Sequence, residues 1–241
     1  MDKLMSLLFP KRCPFCNEVL ESFHLDICPE CEKIVDEFYL IEEPTCKKCG
    51  KPLADEEQEF CLDCKKNPRS FEQGICLFRY GHRQNYRSMG ESILRFKYSG
   101  ALTYASYYIR KLIETYTQVI RQFEVDAIFP IPVHKSRYKQ RGYNQAEVLA
   151  KELSKQMNIP VYSRCLLRTK KTSAQKELTK EERARNLALA FEVKQLPKDV
   201  HRVLLIDDIY TTGVTMEACT RVLLQAGIEK VYVASICSGQ N

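Results

Sequence analysis

Long apolar segments are missing from this 241-residue chain. No stretch of eighteen or more apolar residues occurs, so the sequence predicts neither a membrane-spanning helix nor insertion into a membrane. The first residues, MDKLMSLLFPKRC, contain one apolar patch that is too short for the core of a secretory signal, and no small-residue cleavage site follows it. We therefore expect a cytoplasmic protein.

Cysteine, by contrast, is abundant, with twelve residues, eight of them within the first 64 positions. These eight form two copies of the unit Cys-x2-Cys-x11-Cys-x2-Cys, at Cys13, Cys16, Cys28, Cys31 and at Cys46, Cys49, Cys61, Cys64. Thiols stay reduced in the cytosol, and two Cys-x-x-Cys turns place four thiolates around one tetrahedral Zn²⁺. A redox Cys-x-x-Cys normally occurs once, beside a βαβ pattern, which disfavours that alternative. The repeat predicts one or two structural zinc sites, and both consecutive and interleaved pairing stay open.

The charges divide near the end of the cysteine-rich part. Residues 1–70 hold 10 Lys and Arg against 15 Asp and Glu, whereas residues 71–241 hold 27 against 16. Each four-thiolate zinc site adds a net charge of about −2, which makes the first part still more acidic. We therefore expect anions to bind the second part, and the cysteines to have a structural or protein-contact role. The non-periodic segment KKNPRSFEQG marks the boundary between a module over 1–70 and a domain over 71–241.

Strand-like and helix-like segments alternate after this boundary. Apolar runs without alternation, separated by amphipathic segments, are typical of parallel strands covered on both faces, so the predicted class is α/β. The predicted strands are 75–80, 126–132, 161–167, 201–207 and 231–236, and the predicted helices are 86–98, 101–123, 144–157 and 214–227. Gly50 follows the third Cys-x-x-Cys pair, where a tight turn needs a positive φ.

One predicted strand ends in two adjacent carboxylates. In the stretch VLLIDDIYTTGVT, Asp207 and Asp208 stand at the carboxyl end of a strand, where open parallel sheets bind their ligands. The residues that lead into the next helix are Thr211, Thr212, Gly213, Val214 and Thr215. Unpaired N–H groups at a helix start suit a phosphate, and the carboxylates suit sugar hydroxyls or a divalent metal near a second phosphate. The alternative is that these side chains only cap the turn and the helix.

The order of four apolar residues, two aspartates and Thr-Thr-Gly-x-Thr closely resembles the motif with which type I phosphoribosyltransferases bind 5-phosphoribosyl 1-pyrophosphate (PRPP). By this resemblance, Asp207 and Asp208 contact the ribose hydroxyls, and residues 211–215 hold the 5-phosphate. The resemblance also implies that Mg²⁺ is bound through the pyrophosphate and the sugar. The resemblance also implies the fold of that family, a parallel-rich sheet with flanking helices, here preceded by the cysteine-rich module.

Two basic segments flank this motif in the sequence. PIPVHKSRYKQRGYNQAE, residues 130–147, follows a buried strand at the same sheet edge and supplies Lys135 and Arg141. RTKKTSAQKELTKEERARNLALAF, residues 168–191, begins without periodicity and ends with a helical pattern. We interpret its first half, with Lys171, as a lid whose cations stabilise the leaving pyrophosphate and exclude water. The alternative is that these charges form an ordinary solvated face.

The cysteine pairs together with FKYSG, RGYNQA, TSAQKEL and IDDIYTTGVT are similar to the ComF family of DNA-uptake competence proteins, from Cys13 to about Ile236. The resemblance implies a double zinc ribbon on a phosphoribosyltransferase domain, PRPP binding, and partners that include single-stranded DNA and a helicase-like or other competence protein. The catalytic candidates are Asp207, Asp208, Arg141 and Lys171. The PRPP-binding candidates are Asp207, Asp208, residues 211–215, Lys97 and Lys135. Tyr210 is bulkier than the residue often found there, and we expect it to narrow the acceptor side of the pocket.

Three functions remain open after these observations. The first is an enzyme that transfers the 5-phosphoribosyl group to a nitrogen acceptor, although no general base is identified, since His82, His134 and His201 are interpreted as surface or loop residues. The second is an adaptor that binds single-stranded DNA through charge and tyrosine stacking, although such tyrosines are more often half-buried packing. The third is a PRPP-responsive regulator without catalysis.

Overall fold

The computed structural model describes residues 10–81, 88–169 and 190–239. A four-stranded sheet with the order β1-β6-β5-β2 and parallel pairing throughout lies at its centre. Its strands are β1 (Gly74–Arg79), β2 (Ala127–Pro130), β5 (Arg202–Tyr210) and β6 (Lys230–Ser238). A separate antiparallel pair consists of β3 (Leu166–Arg168) and β4 (Phe191–Val193). The sheet confirms the predicted α/β class.

Helices pack against both faces of the sheet. In the described ranges they are α1 (Pro29–Phe38), α2 (Leu62–Lys66), α3 (Met89–Tyr98), α4 (Tyr104–Gln122), α5 (Lys135–Arg141), α6 (Gln145–Met157) and α7 (Val214–Gln225). The buried side chains of α3 and α4 join the hydrophobic cluster on one face, and those of α7 join the cluster on the other. None of the helices in the described ranges combines the length and the apolar character needed to cross a membrane.

Most predicted elements match the structure, and the differences have physical reasons. β5 continues past the predicted end at Asp207, because its pairing with β6 persists to Tyr210 opposite Ser238. The predicted strand over 161–167 does not join the sheet as a strand: Val161 makes one parallel bridge to Ile128, and the chain then enters β3. Helix α5 was not predicted. The start of the predicted 86–98 helix and the predicted helical end of 168–191 lie outside the described residues.

The two halves of the cysteine-rich part pack on opposite faces of the sheet. Successive residues of a strand point to opposite faces, so Val203 and Leu204 of β5 belong to different hydrophobic clusters. The buried cysteines of residues 13–31 belong to the cluster of Leu204, and those of residues 46–64 belong to the cluster of Val203. The N-terminal residues therefore pack against both faces of the sheet. The division into 1–70 and 71–241 stays a prediction.

The turn after the third cysteine pair lies directly on the backbone of β1. Gly50 has the predicted positive φ, +73°. A Cβ at this position would stand 2.7 Å from the amide nitrogen of Cys76 and 2.8 Å from the Cα of Ile75. No real Cβ tolerates such contacts with backbone atoms, so glycine is required both for the turn and for the close approach.

Candidate functional site

The two aspartates lie near the carboxyl end of β5, the second strand from one edge of the sheet. The Asp208 amide donates a hydrogen bond of 2.9 Å to Oδ1 of Asp207, which fixes the two carboxylates relative to one another. The Asp208 carboxylate is 8% exposed, and its Oδ1 lies 3.0 Å from Nζ of Lys97. The pair thus combines one neutralised carboxylate with a second that has no cation at ion-pair distance among the described residues.

The second carboxylate has an unusual protonation equilibrium. Burial, followed by repulsion from the Asp208 carboxylate, raises the pKa of Asp207 from 3.8 to about 7. The Lys97 ammonium and the Arg141 guanidinium act in the opposite direction and lower this pKa. Asp207 therefore keeps its proton to a higher pH than an ordinary carboxyl group.

Lys97 lies in the last turn of helix α3, and residues of the motif RGYNQA form hydrogen bonds to the carbonyl groups at that end of the helix. Gln145 Nε2 donates to the carbonyl oxygen of Lys97 at 3.1 Å, and the Tyr143 hydroxyl donates to that of Phe96. Asn144 caps α6 by accepting from the Ala146 amide at 3.2 Å, and its Nδ2 donates to the carbonyl oxygen of Ile131 at 3.0 Å, just beyond β2. The motif therefore joins the carboxyl ends of α3 and β2 into one frame.

Arg141 is the last residue of α5, directly before Gly142, whose φ of +81° ends the helix. Its guanidinium donates to Oε1 of Gln145 and to the hydroxyl of Tyr98, both at 2.9 Å. It is thereby oriented on the same frame as Lys97, and it contributes positive potential at Asp207. The structure thus brings together Lys97, Arg141 and the acidic pair from three segments of the sequence.

The bend after β5 is open to solvent. Thr211 and Thr212 are exposed, Val214 and Thr215 are half-buried, and helix α7 begins at Val214. Gly213 precedes the helix with a φ of +71°, which is a left-handed conformation that glycine adopts without strain. The bend can therefore present its hydroxyl groups and the free N–H groups of the first helical turn to an anion.

Lys135 and Lys171 do not complete this arrangement. Lys135 is the exposed first residue of α5, and no hydrogen bond or ion pair joins it to the acidic pair within the described ranges. Lys171 lies outside the described residues, as does most of the basic segment interpreted as a lid. Their predicted roles stay predictions.

The expectation for Tyr210 was wrong. Its side chain is only 2% exposed, and it lies beneath the bend, where a Cβ at Gly213 would stand 2.0 Å from its hydroxyl oxygen. Its side chain packs in the core cluster that contains the cysteines of residues 46–64. It supports the bend from below and does not line an acceptor pocket.

Arg168, at the end of β3, is a site neighbour that sequence reasoning did not single out. Burial, and secondarily the Arg137 guanidinium, lowers the pKa of Arg168, while Cys219 and the Asp207 carboxylate raise it. Its guanidinium therefore interacts electrostatically with the Asp207 carboxylate. The sequence offered one signal, an arginine at the end of a strand-like segment directly before the basic stretch, but the β3–β4 pairing that positions it is a long-range contact.

The eight N-terminal cysteines form two compact groups with consecutive pairing, Cys13, Cys16, Cys28, Cys31 and Cys46, Cys49, Cys61, Cys64. Within each group all Sγ atoms lie within 4.8 Å of one another. The Cys16–Cys28 and Cys49–Cys61 sulfur separations are 3.9 and 3.7 Å. A tetrahedral zinc with sulfur ligands at about 2.3 Å requires edges of about 3.8 Å, so both groups fit Zn²⁺.

Of the three histidines considered as general bases, His134 and His201 lie away from the acidic pair, and His82 lies outside the described residues. His201 precedes β5 at its amino end, opposite the acidic pair, and its Nδ1 lies 3.2 Å from the Glu229 carboxylate. His134 caps α5, where its Nδ1 lies 2.8 Å from the Ser136 hydroxyl oxygen. Both agree with the interpretation of these residues as surface or loop histidines.

Comparison with known proteins matches both parts of the chain. Residues 4–65 match the double zinc ribbon domain, and residues 143–241 match the phosphoribosyl transferase domain. The chain is 36% identical over 110 residues to Competence protein F of Haemophilus influenzae, covering 45% of this chain and 48% of that protein. It is 33% identical over 112 residues to DNA utilization protein YhgH of Escherichia coli O157:H7, covering 46% and 49%.

A third relative is Competence protein ComFC of Bacillus subtilis, 32% identical over 139 residues, or 58% of this chain and 55% of that protein. The chain thus spans about half the length of the curated relatives that it matches. Among solved structures, adenine phosphoribosyltransferase from Leishmania tarentolae is similar with a TM-score of 0.31 and 14% identity, over 66% of this chain and 80% of that chain. A likeness at that level carries no argument about function.

Proposed function

Because the chain belongs to the ComF family, in which a double zinc ribbon precedes a phosphoribosyltransferase domain, we propose that it binds PRPP with Mg²⁺ and transfers the 5-phosphoribosyl group to a nitrogen acceptor during DNA uptake. The observation that carries this proposal is the acidic pair with its Lys97 partner, set at the carboxyl edge of a parallel sheet beside an outward-facing bend. The proposed location is the cytoplasm.

Each part of the site has a distinct proposed role. Asp207 and Asp208 accept hydrogen bonds from the 2- and 3-hydroxyls of the ribose, which pulls Asp207 toward its charged form. The bend of residues 211–215 binds the 5-phosphate through N–H groups and threonine hydroxyls. Lys97 and Lys135 supply positive charge for PRPP. The donor set also suits Mg²⁺, since carboxylate, hydroxyl and phosphate oxygens are its preferred ligands.

In the transfer step, the acceptor nitrogen forms a bond to C1 of the ribose while the bond from C1 to the pyrophosphate oxygen breaks. The electron pair of the broken bond leaves on pyrophosphate, and the acceptor nitrogen releases its proton to solvent or to the departing group. Arg141, with Lys171 from the basic segment, stabilises the charge that develops on pyrophosphate. Bound Mg²⁺ would supply further neutralisation of that charge.

The binding part of the proposal is tested by titrating Mg·PRPP into wild type and Asp207→Asn/Asp208→Asn in a calorimeter. We expect the variant to lose binding while zinc content and fold are retained. A matched control is Asp126→Asn, because the Asp126 carboxylate accepts bonds from the His201 and Arg202 amides at the opposite, amino end of β5. Unchanged PRPP affinity in the double variant would remove the site assignment.

The catalytic part needs a separate measurement. Pyrophosphate release from Mg·PRPP is followed with a panel of amines and nucleobases as acceptors, in wild type and in Arg141→Ala. We expect acceptor-dependent release that falls strongly in the variant. If intact protein that binds PRPP releases no pyrophosphate with any acceptor, the proposed transferase activity is wrong and only the proposed PRPP binding is retained.

A second candidate function is a non-catalytic PRPP sensor or single-stranded DNA adaptor that docks a competence helicase or another competence protein. The names of the relatives support it, because they refer to competence and DNA utilization. The logarithm of the binding constant for a single strand should fall linearly with the logarithm of the salt concentration. The slope should be about −0.7 for each phosphate contact. A flat salt response would exclude the adaptor role, and an unchanged partner affinity on adding PRPP would exclude the sensor role.

A further inference from the structure

A short segment before β1 is tied to the bend that follows β5. Arg69 Nη2 donates to the carbonyl oxygen of Thr212 at 2.6 Å, across 143 positions of sequence. The backbone amide and the hydroxyl of Ser70 donate to the two carboxylate oxygens of Glu217, at 2.8 and 2.7 Å. Glu217 lies in the first turn of α7 and is only 8% exposed. Arg69 and Ser70 therefore fix both the bend and the first turn of α7.

The floor of the bend is held by the same region. Tyr210 contacts Phe71 edge-on, with ring centroids 6.5 Å apart, and Nζ of Lys51 lies 5.7 Å from the Tyr210 ring centroid. Lys51 is 3% exposed and pairs at 3.2 Å with Asp63, which stands between the last two cysteines of the second group. Contacts therefore run without a break from the second four-cysteine group to the underside of Gly213.

The Arg69 contact also sets the direction of a peptide plane. In a trans peptide the carbonyl of Thr212 and the N–H of Gly213 point in opposite directions. Fixing the Thr212 oxygen on Arg69 therefore turns the Gly213 N–H away from Arg69. An anion site built from backbone N–H groups binds more tightly when those groups are oriented before the ligand arrives.

We propose that Arg69 and Glu217 are positioning residues that preorganise the bend for the 5-phosphate, so that the second cysteine group and the segment after it set the affinity for phosphate. This inference rests on the proposed function, in which the bend binds the 5-phosphate of PRPP. Arg69 and Glu217 act through Thr212 and Ser70 and do not touch the ligand. The first cysteine group, on the opposite face of the sheet, has no such role.

The test uses ribose 5-phosphate as a probe of the bend and PRPP as the full ligand, both measured by calorimetry on the full chain. Arg69→Ala should weaken both by about 10-fold to 100-fold, because the ligand must then orient a bend that a charge-assisted hydrogen bond no longer holds in the free protein. Arg69→Lys, which can still donate to Thr212, should recover most of the affinity, and Glu217→Gln should weaken both ligands to a smaller extent. Zinc content should stay at the wild-type value in all three variants.

The matched control is Arg12→Ala, which removes a comparable arginine-to-carbonyl bond of 2.9 Å to Asn17 within the first cysteine group. Hydrogen exchange over residues 211–215 should accelerate in Arg69→Ala and not in Arg12→Ala. Wild-type affinity in Arg69→Ala, or an equal loss in Arg12→Ala, would overturn the inference while leaving PRPP binding intact. If wild type binds neither ligand, the proposed function fails first and the inference with it.

Discussion

Nζ of Lys97 lies 3.0 Å from Oδ1 of Asp208, and the two side chains are 17% and 8% exposed. A pair this far from solvent is not an ordinary surface salt bridge, because each partner would be left with an unmatched charge if the other were removed. The lysine comes from the end of α3 and the aspartate from β5, so the contact also fixes the helix against the strand.

Replacing Lys97 with Met should therefore reduce both stability and PRPP binding. We expect a loss of about 2–4 kcal/mol in the free energy of unfolding, because Asp208 becomes a buried carboxylate without a cation. Urea unfolding measures this loss, and Lys97→Met/Asp208→Asn should recover most of the stability without recovering PRPP binding.

A control for this prediction is Lys151→Met, which breaks an ion pair with Glu147 whose lysine is 62% exposed. Its effect should stay within about 0.5 kcal/mol, as for most surface pairs. If Lys97→Met and Lys151→Met are equally stable, the Lys97–Asp208 ion pair does not stabilise the fold more than a surface pair does.

The raised pKa of Asp207 predicts an unusual pH dependence of stability. The folded state keeps a proton on Asp207 up to about pH 7, whereas the unfolded chain releases it near pH 3.8. The stabilisation from this group is complete below pH 3.8 and is lost as the pH rises through about 7. Asp207→Asn should therefore raise the thermal midpoint of the ligand-free protein by about 3–6 °C at pH 8 and much less at pH 5.

Asp126 gives the opposite sign at the other end of β5. Hydrogen bonds from the Arg202 and His201 amides outweigh burial, which opposes them, and lower the pKa of Asp126. Its stabilisation is present above its unfolded pKa and is lost in acid, so Asp126→Asn should lower the thermal midpoint at neutral pH. If both substitutions changed the thermal midpoint with the same pH dependence, the raised pKa of Asp207 would be contradicted.

Sequence reasoning succeeded where the information is local. The strand end, the acidic pair and the bend lie within thirteen consecutive residues, so apolar periodicity and turn chemistry were enough to place them. It did not find the Arg69–Thr212 contact or the use of opposite sheet faces by the two cysteine groups, because both depend on packing between distant segments. Tyr210 was misjudged because its burial depends on contacts with Phe71 and Lys51, which come from distant segments of the sequence.

Gly213→Ala should disrupt the bend through two effects. The alanine would be strained at a φ of +71°, and its Cβ would collide with the Tyr210 hydroxyl at 2.0 Å. We expect a clear loss of stability and of PRPP binding. Gly100→Ala is the control, since Gly100 has a similar φ, +67°, but open space around a Cβ, and its cost in urea unfolding should reflect backbone strain alone. Equal costs at the two positions would show that Tyr210 does not support the bend.

The two zinc sites should release their metal at different rates. All four cysteines of the second group are buried, whereas Cys16 and Cys28 of the first are partly accessible. A chromophoric chelator should therefore remove one Zn²⁺ quickly and one slowly, because thiolate exchange needs access to the site. Cys13→Ser/Cys16→Ser should abolish the fast phase, and Cys46→Ser/Cys49→Ser the slow one.

The second variant should also lower the thermal midpoint of the whole chain more strongly, because its site packs within the core beneath Tyr210. A single release phase, or fast release that survives in Cys13→Ser/Cys16→Ser, would contradict this difference between the sites.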